Sequence, residues 1–188
     1  MPSEPPPRPP VGRRLAALGL DYLAILGWMT VLAAGSLVTS VTVGLPDVLG
    51  ALGPVGAEAV FFALLTLPVG LYLFLSESGP AQATWEKRRM GLMVTAEDGA
   101  RPTRRQVAIR TVVKLLPWEV AHAFIWQMQA VFHREGYEAE VPVWVFVGLS
   151  LVCVAVVVYL AMSLLGPRRG PHDRASRTTV VRPALIEP

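Results

Sequence analysis

Val141–Leu165 reads VPVWVFVGLSLVCVAVVVYLAMSLL, twenty-five residues without a single charged side chain. A helix crosses the hydrocarbon core of a bilayer with about 20 apolar residues, so this run is long enough to span it. Two further stretches share the property: Leu15 to Val43 contains one charged side chain, Asp21, and Ala59 to Leu75 contains none. The latter can be extended back through Val55. With 53% hydrophobic and 16% charged residues over 188 positions, the chain is more apolar than an ordinary soluble domain, in which about 25% of residues are charged. A membrane is its natural solvent.

The net charge of +3 would hint at nucleic acid in a soluble protein, but the distribution of that charge points elsewhere. Lysine and arginine fall in three blocks: Arg8, Arg13 and Arg14; then Lys87 to Arg89 and on through Arg101, Arg104, Arg105, Arg110 and Lys114; then Arg168 to Arg182. The intervening hydrophilic stretches hold Asp47 and Glu58, and then Glu135, Glu138 and Glu140 around the lone Arg134. By the positive-inside rule the basic blocks are cytoplasmic, which places both termini there and explains the charge better than nucleic acid would, so no nucleic-acid partner is expected. The rule also decides Leu115 to Phe132, a stretch made ambiguous by Pro117, Glu119, His122, Gln127 and Gln129. Unless it crosses, a basic block would be exported. The expected fold is therefore all-α, with about four transmembrane helices and a cytoplasmic loop between the second and third, in the cell membrane.

The first helix follows a proline-rich tail over residues 1–11 that can form neither helix nor sheet. Its apolar run is too long for a typical cleaved signal and is interrupted by Asp21, so it is expected to be retained. Gly44, Pro46, Gly50, Gly53 and Pro54 predict an outside loop, and Pro68 predicts a kink in the second helix. Glu97-Asp98-Gly99 predicts a turn beside a short surface strand or hairpin at Leu92-Met93-Val94. Arg110 and Lys114, four residues apart among apolar neighbours, suit a basic helix lying in the headgroups until Pro117 turns it inward. Lys87 to Arg89 reads as a headgroup-facing patch for anionic lipid. Trp118 and Trp144 sit near helix ends, where their rings bridge apolar and polar layers. Cys153, the single cysteine, excludes an intrachain disulfide.

Three separated motifs resemble the RDD family of membrane proteins, named for one arginine and two aspartates. Arg14-Leu15-Ala16-Ala17-Leu18-Gly19-Leu20-Asp21 is similar to its opening pattern. Gln82 to Val94, followed by Asp98-Gly99, is similar to the second block, and His172-Asp173 with Thr178 to Val181 to the closing one. The resemblance covers Gly12 to Val181, leaving 182–188 as a tail. It assigns Arg14, Asp21 and Asp173 to the naming positions. It implies transport, with sodium/proton exchange among the suggested activities. Glu86 departs from the pattern by standing where the family usually has glycine, and a bulky acid there opposes close backbone approach.

Asp21 carries the most information among the polar residues, because an acid at the bilayer centre costs about 2.5–3.5 kcal/mol and is seldom left unpaired. Arg14 lies nearly two turns earlier on the same face, about 10 Å along the axis, and can snorkel to the headgroups. Glu119 and His122, three residues apart on one face, would stand at a depth similar to that of Asp21. Together the three form a candidate ion- or proton-handling group, since carboxylates bind hard cations and histidine titrates near neutral pH. The same side chains could instead hydrogen-bond across helices as assembly glue.

A di-iron centre needs two Glu-x-x-His elements and two further glutamates, and only Glu119-x-x-His122 is present, so no metal or cofactor is expected. His172 and Asp173 have no serine or cysteine nucleophile beside them and read as a brace for the tail, against Lys87 or Arg88. No enzymatic chemistry is indicated. Transport through four helices would call for a homo-oligomer or a membrane partner. The competing function is a non-transporting assembly or accessory protein.

Overall fold

The structure is a computed structural model that describes residues 10–165 and 169–182, with backbone alone at 45–50 and 54. Most of the proline-rich tail, residues 183–188, Arg8 and Arg168 lie outside the described residues. The chain is mainly helical: α1 (Val11–Val43), α2 (Leu45–Phe61), a π turn (Phe62–Thr66), α3 (Leu67–Ser78), α4 (Trp85–Arg89), α5 (Arg104–Glu135), α6 (Val143–Leu164) and α7 (Pro171–Ala175). Two short strands, β1 (Met93–Ala96) and β2 (Thr178–Val181), complete it. Val11–Val43, Val55–Ser78 and Val143–Leu164 are long and apolar enough to cross a membrane. Their exposed leucines and valines, among them Leu23, Val31, Leu37, Leu151, Val154 and Val157, suit a lipid solvent.

The described residues cluster in two compact units. The first draws on Met1–Ile25, Val69–Lys114 and Tyr159–Pro188, the second on Leu26–Pro68 and Leu115–Val158.

In the first unit, β1 does not fold into a hairpin with the basic segment after it. It pairs antiparallel with β2, Met93 opposite Val181 and Ala96 opposite Thr178. The turn at Glu97 to Gly99 forms as expected, with Gly99 at φ 83. Val94 and Val180 sit opposite each other, and the Val94 N–H turns outward to the Gln82 carbonyl. Gln82 also donates its side-chain amide to the Val94 carbonyl at 2.8 Å, covering that edge of the sheet. Leu92, Val94 and Val180 pack on Ala17 of α1, whose small side chain admits the sheet.

The expected loop around Pro46 and Gly53 is largely helical. Proline at the first turn loses no hydrogen bond the helix would have made, so Leu45–Phe61 forms, and only Gly53 (φ 67, ψ 176) leaves helical geometry.

Two prolines inside helices are answered by side chains. Pro68 has no N–H for the Leu64 carbonyl; the backbone widens into the π turn just before it, and the Trp28 indole N–H donates to Leu64 instead, at 2.9 Å. Pro117 likewise cannot serve the Val113 carbonyl, which accepts from the Tyr159 hydroxyl at 3.3 Å. Helix α5 is assigned continuously through Pro117.

In the second unit Phe61 and Trp126 have ring centroids 4.3 Å apart, and Phe124 lies against Trp144 at 6.1 Å. Gly148 of α6 lets the Phe124 ring approach so closely that a β-carbon there would collide with it.

Candidate functional site

The first unit holds a buried chain of charges. Glu77, at the end of α3, accepts from Arg110 Nε at 2.8 Å and lies 3.0 Å from Lys87 Nζ. Arg110 also binds Asp173 and donates to Thr178 Oγ1 at 3.0 Å. The residues themselves are 1% (Arg110), 2% (Glu77), 7% (Lys87) and 1% (Asp173) exposed. This corrects two sequence expectations. Arg110 and Lys87 do not face headgroups: each has an acid supplied by a distant element, and pairing inside the protein replaces hydration. Arg88 and Arg89 do remain exposed, Arg89 stacking over the Trp85 ring at 5.0 Å.

Asp173 braces the tail as expected, but against Arg110 rather than Lys87 or Arg88. It also accepts the Gly170 N–H at 2.9 Å, fixing the start of α7. Burial works to raise the Asp173 carboxyl; the adjoining guanidinium outweighs it and holds the group below its ordinary value.

His172 lies 3.6 Å from that carboxylate and is pushed down to about 3, first by burial and then by Arg110. A histidine whose folded value is depressed gives full stability above its unfolded value of about 6.5 and loses it as pH falls toward 3. Between pH 7 and pH 5 the detergent-solubilised protein is expected to lose about 2 kcal/mol from this residue. Thermal unfolding at the two pH values checks it: His172→Asn should flatten the dependence, and an unchanged slope would remove His172 as the cause.

Arg14 and Asp21 are not each other's partners. Arg14 donates to the Ser163 and Val180 carbonyls at 3.0 and 3.1 Å, so it ties α1 to the end of α6 and to β2 rather than reaching for headgroups. Asp21 faces Lys114, Oδ2 to Nζ at 3.8 Å, and its Oδ1 is buried. Glu86 lies beside it, buried, accepting from the Tyr72 hydroxyl at 2.9 Å. The acid at the expected glycine position is thus turned inward, where α4 accommodates it.

Glu119 and His122 belong to the second unit. Thr66, buried on the π turn, donates its hydroxyl to Glu119 Oε1, and His122 Nδ1 lies 3.4 Å from the same oxygen. The His122 ring meets Trp118 edge-on at 4.8 Å. Glu119 and His122 open onto a cleft of about 320 Å³, with Glu58, Phe62, Val55 and Trp126 as its other main walls. Among the described residues no group of three or more His, Cys, Asp or Glu side chains could hold a metal ion.

The three motif blocks, far apart in sequence, thus converge in the first unit: Arg14 on β2, β1 on β2, and Asp173 on Arg110. The sequence model of the RDD family matches residues 8–177, which contain all of these blocks except β2. The chain belongs to the RDD family. Neither the curated proteins nor the solved structures compared with it give a match. RDD proteins are membrane proteins, in keeping with the three spanning-length helices. In this RDD chain, sequence reasoning missed Glu77, Arg110, Tyr72 and Thr66 as site residues. Glu77 had one legible signal: it is an acid closing an apolar helix.

Proposed function

We propose that this RDD-family chain transports ions or small solutes, with cation/proton exchange as its most specific form. Glu119 carries the reading: a carboxylate on a helix inside a mostly apolar unit, hydrogen-bonded by Thr66 and His122 and open to a cleft. Ionisable groups on membrane helices are costly and serve function when they face a cavity. Asp21, beside Lys114 and Glu86, is the corresponding group of the first unit.

In this reading α5 is the fourth spanning helix. Its 32 residues extend about 48 Å, more than the roughly 30 Å of hydrocarbon. Both termini and the α3–α5 connection then face the cytoplasm of a cell-membrane protein, and Trp85, Arg88 and Arg89 contact anionic headgroups. Four helices enclose little space, so a homo-oligomer completes the path. The chain performs no enzymatic step and binds no nucleic acid.

The second reading, an assembly or accessory protein, draws on the Glu77–Arg110–Asp173 brace, whose charges are paired with one another.

Proton and sodium flux into liposomes carrying the purified protein tests the two. Transport predicts flux that Glu119→Gln and Asp21→Asn each reduce about tenfold or more, the scale of about 1.4 kcal/mol on the barrier. Folded protein giving no flux above empty liposomes would overturn transport and favour assembly.

A further inference from the structure

The charge balance of the second unit is one-sided. Residues 26–68 and 115–158 contain a single lysine or arginine, Arg134, and its Nε is directed to the Ala130 carbonyl. Glu119 receives a neutral hydroxyl and a histidine ring, and Glu58 faces the same cleft. Glu58 is exposed and Glu119 partly so, none of the side chains lining this cleft is a lysine or arginine, and the basic group there is His122, 3.4 Å from Glu119.

The cleft walls narrow the chemistry of a ligand there. An anion would meet two carboxylates, with His122 as the one basic side chain of the lining. Among the described residues no group of three or more His, Cys, Asp or Glu side chains stands ready for a multivalent metal ion. Apolar and aromatic surface makes up the rest: Val55 and Phe62 on one helix, Trp126 on the other, its ring held against Phe61. Carboxylate charge beside ring faces is the combination that attracts an ammonium bearing carbon substituents, because the rings add cation–π attraction and the substituents bury apolar area. At about 320 Å³ the space lies at the small end of ligand sites, which run from roughly 300 to 1,000 Å³.

We propose that the cleft formed by Glu58, Glu119, Phe62 and Trp126 is a binding site for a small organic ammonium. The inference rests on reading the Glu119 cleft as the substrate site, and it names the substrate class. Glu119 and Glu58 supply the countercharge, Trp126 and Phe62 the ring faces, and Thr66 and His122 hold the Glu119 carboxylate in place.

Calorimetric titration of the purified full chain in detergent with benzyltrimethylammonium tests this. The wild type should bind saturably. Glu119→Gln and Trp126→Leu should each weaken binding by about tenfold or more, as loss of a desolvated cation–π or charge contact implies. Cys153→Ala, at an exposed position outside the cleft, should bind as the wild type does. Because Glu119 also holds Thr66, Glu58→Gln is the second carboxylate variant, expected to weaken binding while leaving that contact intact. Absence of saturable binding to folded wild type, or equal affinity in the Glu58, Glu119 and Trp126 variants, would overturn the proposal. Proton or sodium flux without ammonium binding would remove this inference and leave transport standing. Ammonium binding without any flux would do the reverse.

Discussion

Arg110→Met is expected to destabilise the protein by about 3–5 kcal/mol, the range for breaking a buried ion pair by removing one partner. The guanidinium lies between two carboxylates that have almost no solvent: the Glu77 and Asp173 side chains are each 2% exposed. Methionine matches much of the volume but removes the charge and three hydrogen bonds, those to Glu77, Asp173 and Thr178. Glu77 would retain Lys87 at 3.0 Å, whereas Asp173 would keep the Gly170 N–H and the neighbouring His172 ring, itself released from the depressing charge of Arg110. Denaturant unfolding in detergent measures the loss. A double-mutant cycle with Asp173→Asn should give a coupling of about 0.5–3 kcal/mol, since removing the second carboxylate relieves part of the damage done by the first change. A loss below about 1 kcal/mol, with no coupling, would mean that water enters the network and that the pairs contribute no more than surface salt bridges.

That network also shows what the sequence could and could not disclose. The spans were legible because apolar length is a local property: the second was expected to reach back through Val55, and Val55–Ser78 is long and apolar enough to span. The lysines and arginines of the central block were visible too, but their partners were not. Arg110 meets Glu77 and Asp173 across separations of 33 and 63 residues, pairings that no local window contains. A periodic run of basic residues therefore looked like a headgroup surface. Proline partners were hidden for a related reason. Pro117 announces a missing hydrogen bond, but the donor that serves the freed carbonyl, Tyr159, lies 46 residues away. Likewise the β propensity of Leu92 to Val94 was readable, while its partner strand came from the far end of the chain. Of the candidate site, Asp21, Glu119 and His122 were identifiable as polar residues in apolar helices. Lys114 and Thr66 were not, because their side chains look ordinary until the fold sets them beside an acid.

Arg14→Ala should cost about 2–3 kcal/mol, and the loss should concentrate in the strand pair rather than in the spanning helices. The residue serves two carbonyls that the regular structure leaves open. Ser163 lies in the last turn of α6, where backbone carbonyls have no helical donor and a cation is favoured by the helix dipole. Val180 sits opposite Val94 on a rung whose N–H and carbonyl point away from the partner strand, so its oxygen faces the open edge of β2. One planar fork reaches both. Hydrogen exchange at Thr178 to Val181 should accelerate in Arg14→Ala while amides in the middle of α6 keep their protection. Arg14→Lys should recover little, because a single ammonium carries the charge but not two donors at the guanidinium spacing. Full recovery by lysine would show that charge at the end of α6 is what matters, and unchanged exchange in β2 in both variants would show that the sheet is held by Ala17 and its apolar neighbours alone.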